Sequence, residues 1–251
     1  LEKYLEKYAP TSFELRLIPN RDYKFVVFAD FVEQGSKDDL YYDTTDLRNI
    51  TAKTGAEGWN AMNEVRDAYF VSENVEVSTS LTKTLTLTRP FGKVRVIATD
   101  IDYIAGYSAP GYVEVTYETE PLYKSFNAVN GKLNATKLAD KELAYGFEVK
   151  KNAPYTEGYD AKTVITAENK TRHTHMTLFT DYILAEDDQR GVHFTLEVWD
   201  NNGELIKSTD FDTEIPVQRN HLTTIIGNVM TTATEINVTI DDNFENKDRE
   251  Y

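Results

Sequence analysis

Three histidines are the residues whose spacing could bind a metal ion. His173 and His175 are two positions apart on a predicted strand and therefore share one face, where His193 of a neighbouring strand could join them. Imidazole nitrogens are common zinc ligands. The competing interpretation is ordinary exposed histidines between threonines, because a zinc site also needs partners that orient its ligands and the sequence indicates none. We therefore expect no metal and no cofactor.

Adjacent carboxylates are the second kind of candidate. Asp187 with Asp188, and Asp241 with Asp242, could hold calcium or act as an acid and base pair, and a glycosidase needs two carboxyl groups roughly 5 to 9 Å apart. Solvated loops are the competing interpretation, since the 42 acidic residues contain many such pairs. The sequence has no G-x-S-x-G, glycine-rich phosphate loop or H-E-x-x-H motif. We expect a non-enzymatic protein, with a β-sandwich glycoside hydrolase left open as an alternative.

Exposed aromatic rings could stack against sugars, because a ring offers an apolar face and a polar edge. The chain has 16 tyrosines and two tryptophans, which could equally be core and strand residues. Six of the tyrosines lie in predicted loops: Tyr41, Tyr42, Tyr103, Tyr107, Tyr155 and Tyr159. A surface glycan-binding lipoprotein is therefore a further alternative, although the pattern does not identify ligand-binding residues.

The charge and composition of the chain exclude several classes of partner. Its 251 residues include 27 basic and 42 acidic side chains, for a formal charge of −15, which repels nucleic acid and anionic lipid. There are no cysteines, so disulfides, thiolate metal sites and cysteine nucleophiles are excluded. No run approaches the roughly 20 apolar residues of a membrane helix. We expect a packed protein that binds no nucleic acid and does not span a membrane.

The elements that position these residues are predicted from hydrophobic periodicity, which is mostly that of strands. β-Branched and aromatic residues carry the alternation, so we predict an all-β protein of sandwiches rather than βαβ units. Helices are predicted only at residues 1–8 and 59–68, and the glycines and proline near residues 106–111 predict a division into domains 1–105 and 106–251. The predicted strands are 13–18, 23–31, 69–77, 82–87, 93–99, 112–119, 145–149, 174–183, 192–199, 222–229 and 235–240.

The strand predicted at residues 192–199 shows how clear this pattern can be. One face carries the apolar residues Val192, Phe194, Leu196 and Val198. We therefore predict that this face packs against a core and that the other face is exposed to solvent. The residues that follow, 200–203, include Asn-Gly and predict a tight hairpin turn.

The last predicted strand is the candidate assembly strand. Ile236, Val238 and Ile240 share one face, and an acidic polar tail follows them. Such a strand either closes its own sheet or completes the sheet of a neighbouring molecule, where its main chain gives affinity and its alternate side chains give register.

Three sequence segments, all in predicted core strands, resemble those of a known family. Residues 23–31, 89–100 and 220–229 resemble the fimbrillins of Bacteroides-type bacteria, the type V pilins and their relatives, and the likeness runs over about residues 13–243. The resemblance implies two transthyretin-like β-sandwich domains, the first of which lacks its first strand, with a few short helices. It also implies export as a lipoprotein and trimming of an N-terminal segment by a surface protease.

The function that this resemblance implies is structural. Family members polymerise by strand exchange, so we expect a surface fimbrial subunit or adhesin, associated with the outer membrane, that assembles by β-strand complementation. Its expected partners are other fimbrial subunits and a host or bacterial surface receptor or glycan. A tip, anchor or accessory position is open, because the chain continues only to Tyr251 after its last strand.

Overall fold

The structure, a computed structural model, describes residues 1–7, 9–53, 64–100, 110–117, 122–135, 144–148, 164–167, 170–173, 176–200, 202–231 and 234–242. Within these residues the chain forms strands and one short 3-10 turn, Glu64–Arg66. The strands are β1 Arg21–Asp30, β2 Tyr42–Asp43, β3 Ile50–Ala52, β4 Ala68–Val77, β5 Phe91–Ala98, β6 Pro110–Tyr117, β7 Ser125–Asn127, β8 Lys132–Leu133, β9 Ala144–Glu148, β10 Val164–Ala167, β11 Lys170–His173, β12 Met176–Leu184, β13 Arg190–Asp200, β14 Leu205–Val217, β15 Leu222–Asn228 and β16 Thr234–Asp241. The expectation of an all-β protein is confirmed.

The larger core lies between two four-stranded sheets. One has the order β12-β5-β15-β16 and the other β14-β13-β6-β9, and both supply side chains to a single buried cluster. Val94 and Ile225 enter it from the first sheet, and Phe194 and Leu196 enter it from the second. β13 alternates buried and half-buried residues along its length, so the face predicted to pack does pack.

The smaller core lies under the first part of the chain. The four-stranded sheet β2-β3-β7-β8 and the pair β1-β4 contribute to it, and the rings of Phe70 and Phe126 meet edge to face at 4.6 Å between centroids. β5 and β12 contribute to both cores, because Phe91, Tyr182 and Leu184 project into the smaller one. These two strands therefore form a wall that the cores share.

The division at residue 105 and the two transthyretin-like sandwiches stay predictions. Strand pairing crosses the predicted domain boundary. β5, from the predicted first domain, is parallel to β15 and antiparallel to β12, which both belong to the predicted second domain. Parallel neighbours cannot be joined by a tight hairpin, so this pairing ties distant parts of the chain together.

Most of the predicted strands are present, and two are not. The predicted strands other than 13–18 and 82–87 correspond to β1, β4, β5, β6, β9, β12, β13, β15 and β16. The predictions at 13–18 and 82–87 were wrong, because these residues enter no extended ladder. β14 was missed, since polar residues hide its alternation, and there Phe211, Ile215 and Val217 are buried while their neighbours Asp210 and Asp212 are exposed.

The predicted helices have different outcomes. Residues 1–7 form no helix, so the prediction over residues 1–8 was wrong for the part that is described. Of the second predicted helix, residues 59–63 lie outside the described residues, Glu64–Arg66 is a 3-10 turn, and Ala68 begins β4. Among the described residues no helix has the length and apolar character needed to cross a membrane.

Candidate functional site

The predicted assembly strand is β16, the last strand of its sheet. It pairs antiparallel with β15, from Leu222 opposite Asp241 to Asn228 opposite Thr234. Ile236 packs against the larger core, Ile240 is half-buried, and Val238 is 40% exposed. The three predicted residues therefore share one face, and that face is only partly covered within its own molecule.

A buried carboxylate holds the turn that leads into β16. Asp100 accepts hydrogen bonds from the amide of Met230 at 3.1 Å and from the amide and hydroxyl of Thr231 at 2.7 and 2.6 Å. Charge-assisted bonds to a buried carboxylate are strong. Asp100 therefore fixes where β16 begins beside β15, while no described strand pairs with the other edge of β16.

A second open edge belongs to the pair β1 and β4, which we call the ribbon. Its ten cross-strand pairs run from Arg21 opposite Val77 to Asp30 opposite Ala68. In the described part of the chain this sheet has only these two strands. A two-stranded sheet is marginally stable by itself, so the ribbon depends on what packs against its faces.

The two faces of the ribbon have different surroundings. Phe28 and Phe70 are cross-strand partners and lie on the face that packs against the smaller core. Phe25, Val27 and Val71 share the opposite face, which is half-buried. The ribbon therefore presents a row of apolar side chains away from its core.

The two segments that flank the ribbon in sequence have strand-like patterns but no strand structure. In residues 11–18 the apolar Phe13, Leu15 and Leu17 alternate with polar residues, and Phe13 and Leu15 are 46% and 43% exposed. In residues 82–88 threonines alternate with Lys83, Leu85 and Leu87. The segment touches β4 through one bridge, in which Phe70 and Thr88 exchange bonds of 2.8 and 2.9 Å, and through the ion pair of Lys83 with Glu73. Both segments hold the alternation of a half-buried strand without its partner.

Buried ion pairs fix the start of the ribbon. Asp67, just before β4, receives bonds of 2.8 and 2.9 Å from Nε and Nη2 of Arg89 and one of 2.7 Å from the Tyr69 hydroxyl. Next to it, Nη1 of Arg66 donates to Asp181 of β12 at 2.8 Å. These contacts attach the ribbon to the wall that the two cores share.

A second attachment comes from the turn between β14 and β15. The guanidinium of Arg219 lies 5.1 Å from the ring centroid of Phe70 and 5.6 Å from that of Phe126. Its Nε donates to the carbonyl of Ala185 at 3.1 Å. Burial in this position lowers the pKa of the Arg219 guanidinium. A residue far from the ribbon in sequence thus supports the core beneath it.

The last residue of β1, which lies opposite Ala68 at the same end of the ribbon as Asp67, carries a perturbed carboxyl group. Burial, and then the nearby charge of Asp39, raise the pKa of Asp30 from 3.8 to about 6. Asp39 is itself held by the amide and hydroxyl of Thr44 at 2.6 and 2.7 Å. The two acids therefore repel each other at the end of the ribbon.

The predicted ring and metal candidates do not form a site within the described residues. Tyr42 is 3% exposed and donates its hydroxyl to the carbonyl of Arg66 at 2.5 Å, and burial raises its pKa. Tyr41 is half-buried. His175 lies outside the described residues, and so do the remaining predicted loop tyrosines, Tyr103, Tyr107, Tyr155 and Tyr159. The described residues contain no group of three His, Asp or Glu side chains placed to hold a metal ion.

The acidic pairs lie on the surface. The side chain of Asp187 is 81% exposed and receives a bond of 3.3 Å from Arg219, and Asp188 is exposed. Asp241 and Asp242 are exposed at the end of β16. All four carboxylates are therefore exposed, as expected of solvated turns.

Comparison with known proteins gives one family and several solved structures. The profile of a family of unknown function, DUF6562, matches residues 2–250. A candidate cell adhesion protein of Bacteroides uniformis is 12% identical, with a TM-score of 0.44 over 87% of this chain and 72% of that one. A candidate adhesin of Bacteroides thetaiotaomicron is 10% identical, with a TM-score of 0.45 over 91% and 78%.

A third neighbour is also a candidate adhesin. It comes from Bacteroides ovatus and is 14% identical, with a TM-score of 0.38 over 88% of this chain and 76% of that one. No curated protein matches the sequence.

Proposed function

This chain belongs to DUF6562, a family of unknown function, and we propose that it is a surface adhesin-type fimbrial subunit that assembles by β-strand complementation. In this proposal it is non-enzymatic, exported and associated with the outer membrane. Its partners are other fimbrial subunits, together with a receptor or glycan on a host or bacterial surface. The observation that supports this is the pair of strand-patterned segments, 11–18 and 82–88, that flank the ribbon in sequence without entering a ladder.

Unpaired strand sequences are a hazard that a monomer normally avoids. An open edge of main-chain donors and acceptors recruits other chains unless it is shielded, twisted or charged. In residues 11–18 the exposed fractions of Phe13, Leu15 and Ile18 are 46%, 43% and 61%. Covering about half of three such side chains is worth about 2 to 4 kcal/mol before ordering costs. Strand addition from a second molecule would turn this exposure into a stable joint.

The other half of the joint is assigned to β16. Ile236, Val238 and Ile240 form the assembly strand in this proposal, and its apolar face is incompletely covered, with Val238 40% exposed. β16 already pairs with β15 inside its own sheet, so it acts either through its outer edge or by leaving β15. The first route costs less, because it keeps the existing ladder.

A pair of substitutions on one strand tests this assignment. Val238→Asp places a charge on the apolar face, and Asn237→Asp places the same charge on the opposite face of β16, where Asn237 is exposed. We expect concentrated wild-type protein and Asn237→Asp to form multimers in sedimentation velocity, and Val238→Asp to stay monomeric. Circular dichroism of each variant checks that the monomer is folded.

Two results would contradict the proposal. If Val238→Asp unfolds the monomer while Asn237→Asp does not, β16 serves its own sheet and is not the assembly strand. If the wild type is monomeric at every concentration and the amides of residues 11–18 and 82–88 exchange freely throughout, the ribbon does not receive a strand. Hydrogen exchange by mass spectrometry measures the second quantity.

A further inference from the structure

The sheet β14-β13-β6-β9 has a face that points away from the larger core. In β13 Leu196 and Val198 are buried, so Glu197 and Trp199 point to the outside. Cross-strand partners share a face, and the register therefore places side chains of β6 and β14 beside them. We call this surface the outer face, and it includes Tyr112, Glu114, Glu197, Trp199 and Leu205.

An apolar row crosses three strands of the outer face. Trp199 lies opposite Tyr112 of β6 on one side and opposite Leu205 of β14 on the other. Tyr112 is 37% exposed and Leu205 is 39% exposed. Neighbouring strands are about 4.8 Å apart, so the row is about 10 Å long. The indole Nε1 of Trp199 is enclosed and has no hydrogen-bond partner among the described residues.

Two glutamates face each other next to this row. Glu114 of β6 lies directly opposite Glu197 of β13, and both are half-buried. Like charges in that position destabilise a sheet. They are two residues along each strand from Tyr112 and Trp199, which is about 7 Å.

No cation within the described residues compensates this pair. None of the ion pairs among those residues includes Glu114 or Glu197. Lys207 of the adjacent strand instead donates its Nζ to the carbonyl of Thr231 at 3.2 Å. On the other side of Glu114 the register places Gly146, which has no side chain. Within the described residues the two carboxylates therefore face each other without a cation.

We infer that the outer face docks a basic segment of a partner protein. A lysine or arginine side chain of that segment lies between Glu114 and Glu197, and its aliphatic stem lies across Trp199 and Tyr112. Long basic side chains can bury their stems on apolar surface while their charged ends bind carboxylates, and their cations are attracted to ring faces. Tryptophan and tyrosine are also the residues that most often dominate binding energy at interfaces.

Charge favours a basic protein segment over a neutral sugar at this face. A sugar could stack on Tyr112 and Trp199, but its hydroxyl groups would leave the two carboxylates charged and repelling each other. A cation between them removes the repulsion and gains two charge-assisted bonds. The formal charge of −15 also attracts a basic partner from a distance, so its association depends on salt.

Fluorescence anisotropy with a defined probe tests the inference. The probe is a labelled peptide of alternating arginine and glycine, titrated with the full chain at low and physiological salt. We expect Glu114→Gln with Glu197→Gln to weaken binding about 10-fold or more, since close charge pairs dominate such contacts. Tyr112→Ala should weaken it severalfold, because the stem loses its ring.

A matched control separates this site from general attraction to an acidic protein. Asp22 and Glu76 also face each other directly, on the ribbon, where both are exposed and no aromatic row adjoins them. Asp22→Asn with Glu76→Gln removes the same charge, and we expect affinity to stay within about 2-fold. The Glu114→Gln, Glu197→Gln variant should also unfold at a urea concentration no lower than the wild type, because repulsion has been removed.

Several outcomes would overturn the inference. The first is that the peptide does not bind the wild type. The second is that the control substitutions at Asp22 and Glu76 weaken peptide binding as much as those at Glu114 and Glu197 do. The third is that Glu114→Gln with Glu197→Gln lowers the urea concentration at which the protein unfolds. A further one comes from an array of neutral oligosaccharides. If a glycan binds the wild type and the Glu114→Gln, Glu197→Gln variant equally well, and Tyr112→Ala abolishes that binding, the outer face is a sugar platform instead.

Discussion

Asp181→Asn removes the buried charge that joins the two cores of this protein. The carboxylate of Asp181 accepts bonds of 2.8 Å from Arg66 and 3.2 Å from the Tyr117 hydroxyl. It also accepts a bond of 2.8 Å from the amide of Tyr182. The side chains of Asp181 and Arg66 are 0% and 3% exposed. The substitution keeps the size of the side chain and removes the negative charge that Arg66 contacts at 2.8 Å.

The magnitude follows from what is left behind. Removing one member of a buried ion pair costs about 3 to 5 kcal/mol, most of it from the remaining uncompensated charge. Asparagine retains one acceptor, so we expect Asp181→Asn to lower the free energy of unfolding by about 3 kcal/mol. Arg66→Met in the same background removes the guanidinium as well. The double variant should therefore lose less than the sum of the single variants, by about 2 kcal/mol.

Urea unfolding of the wild type, both single variants and the double variant measures these quantities. Asp187→Asn is the control, because Asp187 pairs with Arg219 at 3.3 Å but its side chain is 81% exposed. Such an exposed pair contributes at most about 1 kcal/mol. A loss below about 1 kcal/mol for Asp181→Asn, or strict additivity in the double variant, would refute the assignment of this pair as the joint between the cores.

Two further predictions concern Asp30, at one end of the ribbon, and Phe194, in the larger core. Because the pKa of Asp30 is raised, the folded state binds this proton more tightly than the unfolded state does. The free energy of unfolding should therefore fall as pH rises from about 4 to about 7. Allowing for solvent screening, we expect a loss of about 1 to 2 kcal/mol. Asp30→Asn should remove this part of the pH profile in thermal unfolding, and an unchanged profile would contradict it. The ring centroid of Phe194 lies 5.5, 5.7 and 4.8 Å from those of Tyr117, Phe179 and Phe211. Phe194→Ala should therefore lower the free energy of unfolding, measured in urea, by about 3 to 5 kcal/mol. Thr195 points away from this core, so Thr195→Ala should change it by about 0.5 kcal/mol or less. Equal losses for these two variants would show that the faces of β13 were assigned wrongly.

The hairpin after β13 shows a feature that the sequence predicts well. Asp200 accepts bonds from the amides of Asn202 at 2.7 Å and Glu204 at 3.0 Å, and Gly203 has φ of 82°. Both properties belong to the residue types themselves, because aspartate side chains bind nearby amides and glycine adopts positive φ without strain. A turn of this kind needs no information from distant parts of the chain.

The segments 11–18 and 82–88 show where local pattern stops being sufficient. Each has the alternation of a strand, and neither has a strand partner in the described part of the chain. Alternation indicates that one face of a segment can be buried, but a strand also requires an edge with free donors and acceptors in register. The missed strand β14 shows the converse, since its partner β13 supplies a ladder that its polar residues alone do not suggest.

The candidate interaction residues divide in the same way. The sequence by itself determined that Ile236, Val238 and Ile240 share a face, because side chains of a strand alternate with a period of two. Only the tertiary structure decided that this strand pairs with β15, and that Glu114 meets Glu197 beside Trp199. The physical reason is range: the face of a residue follows from its immediate neighbours, whereas the pairing of strands depends on how distant segments pack into common cores.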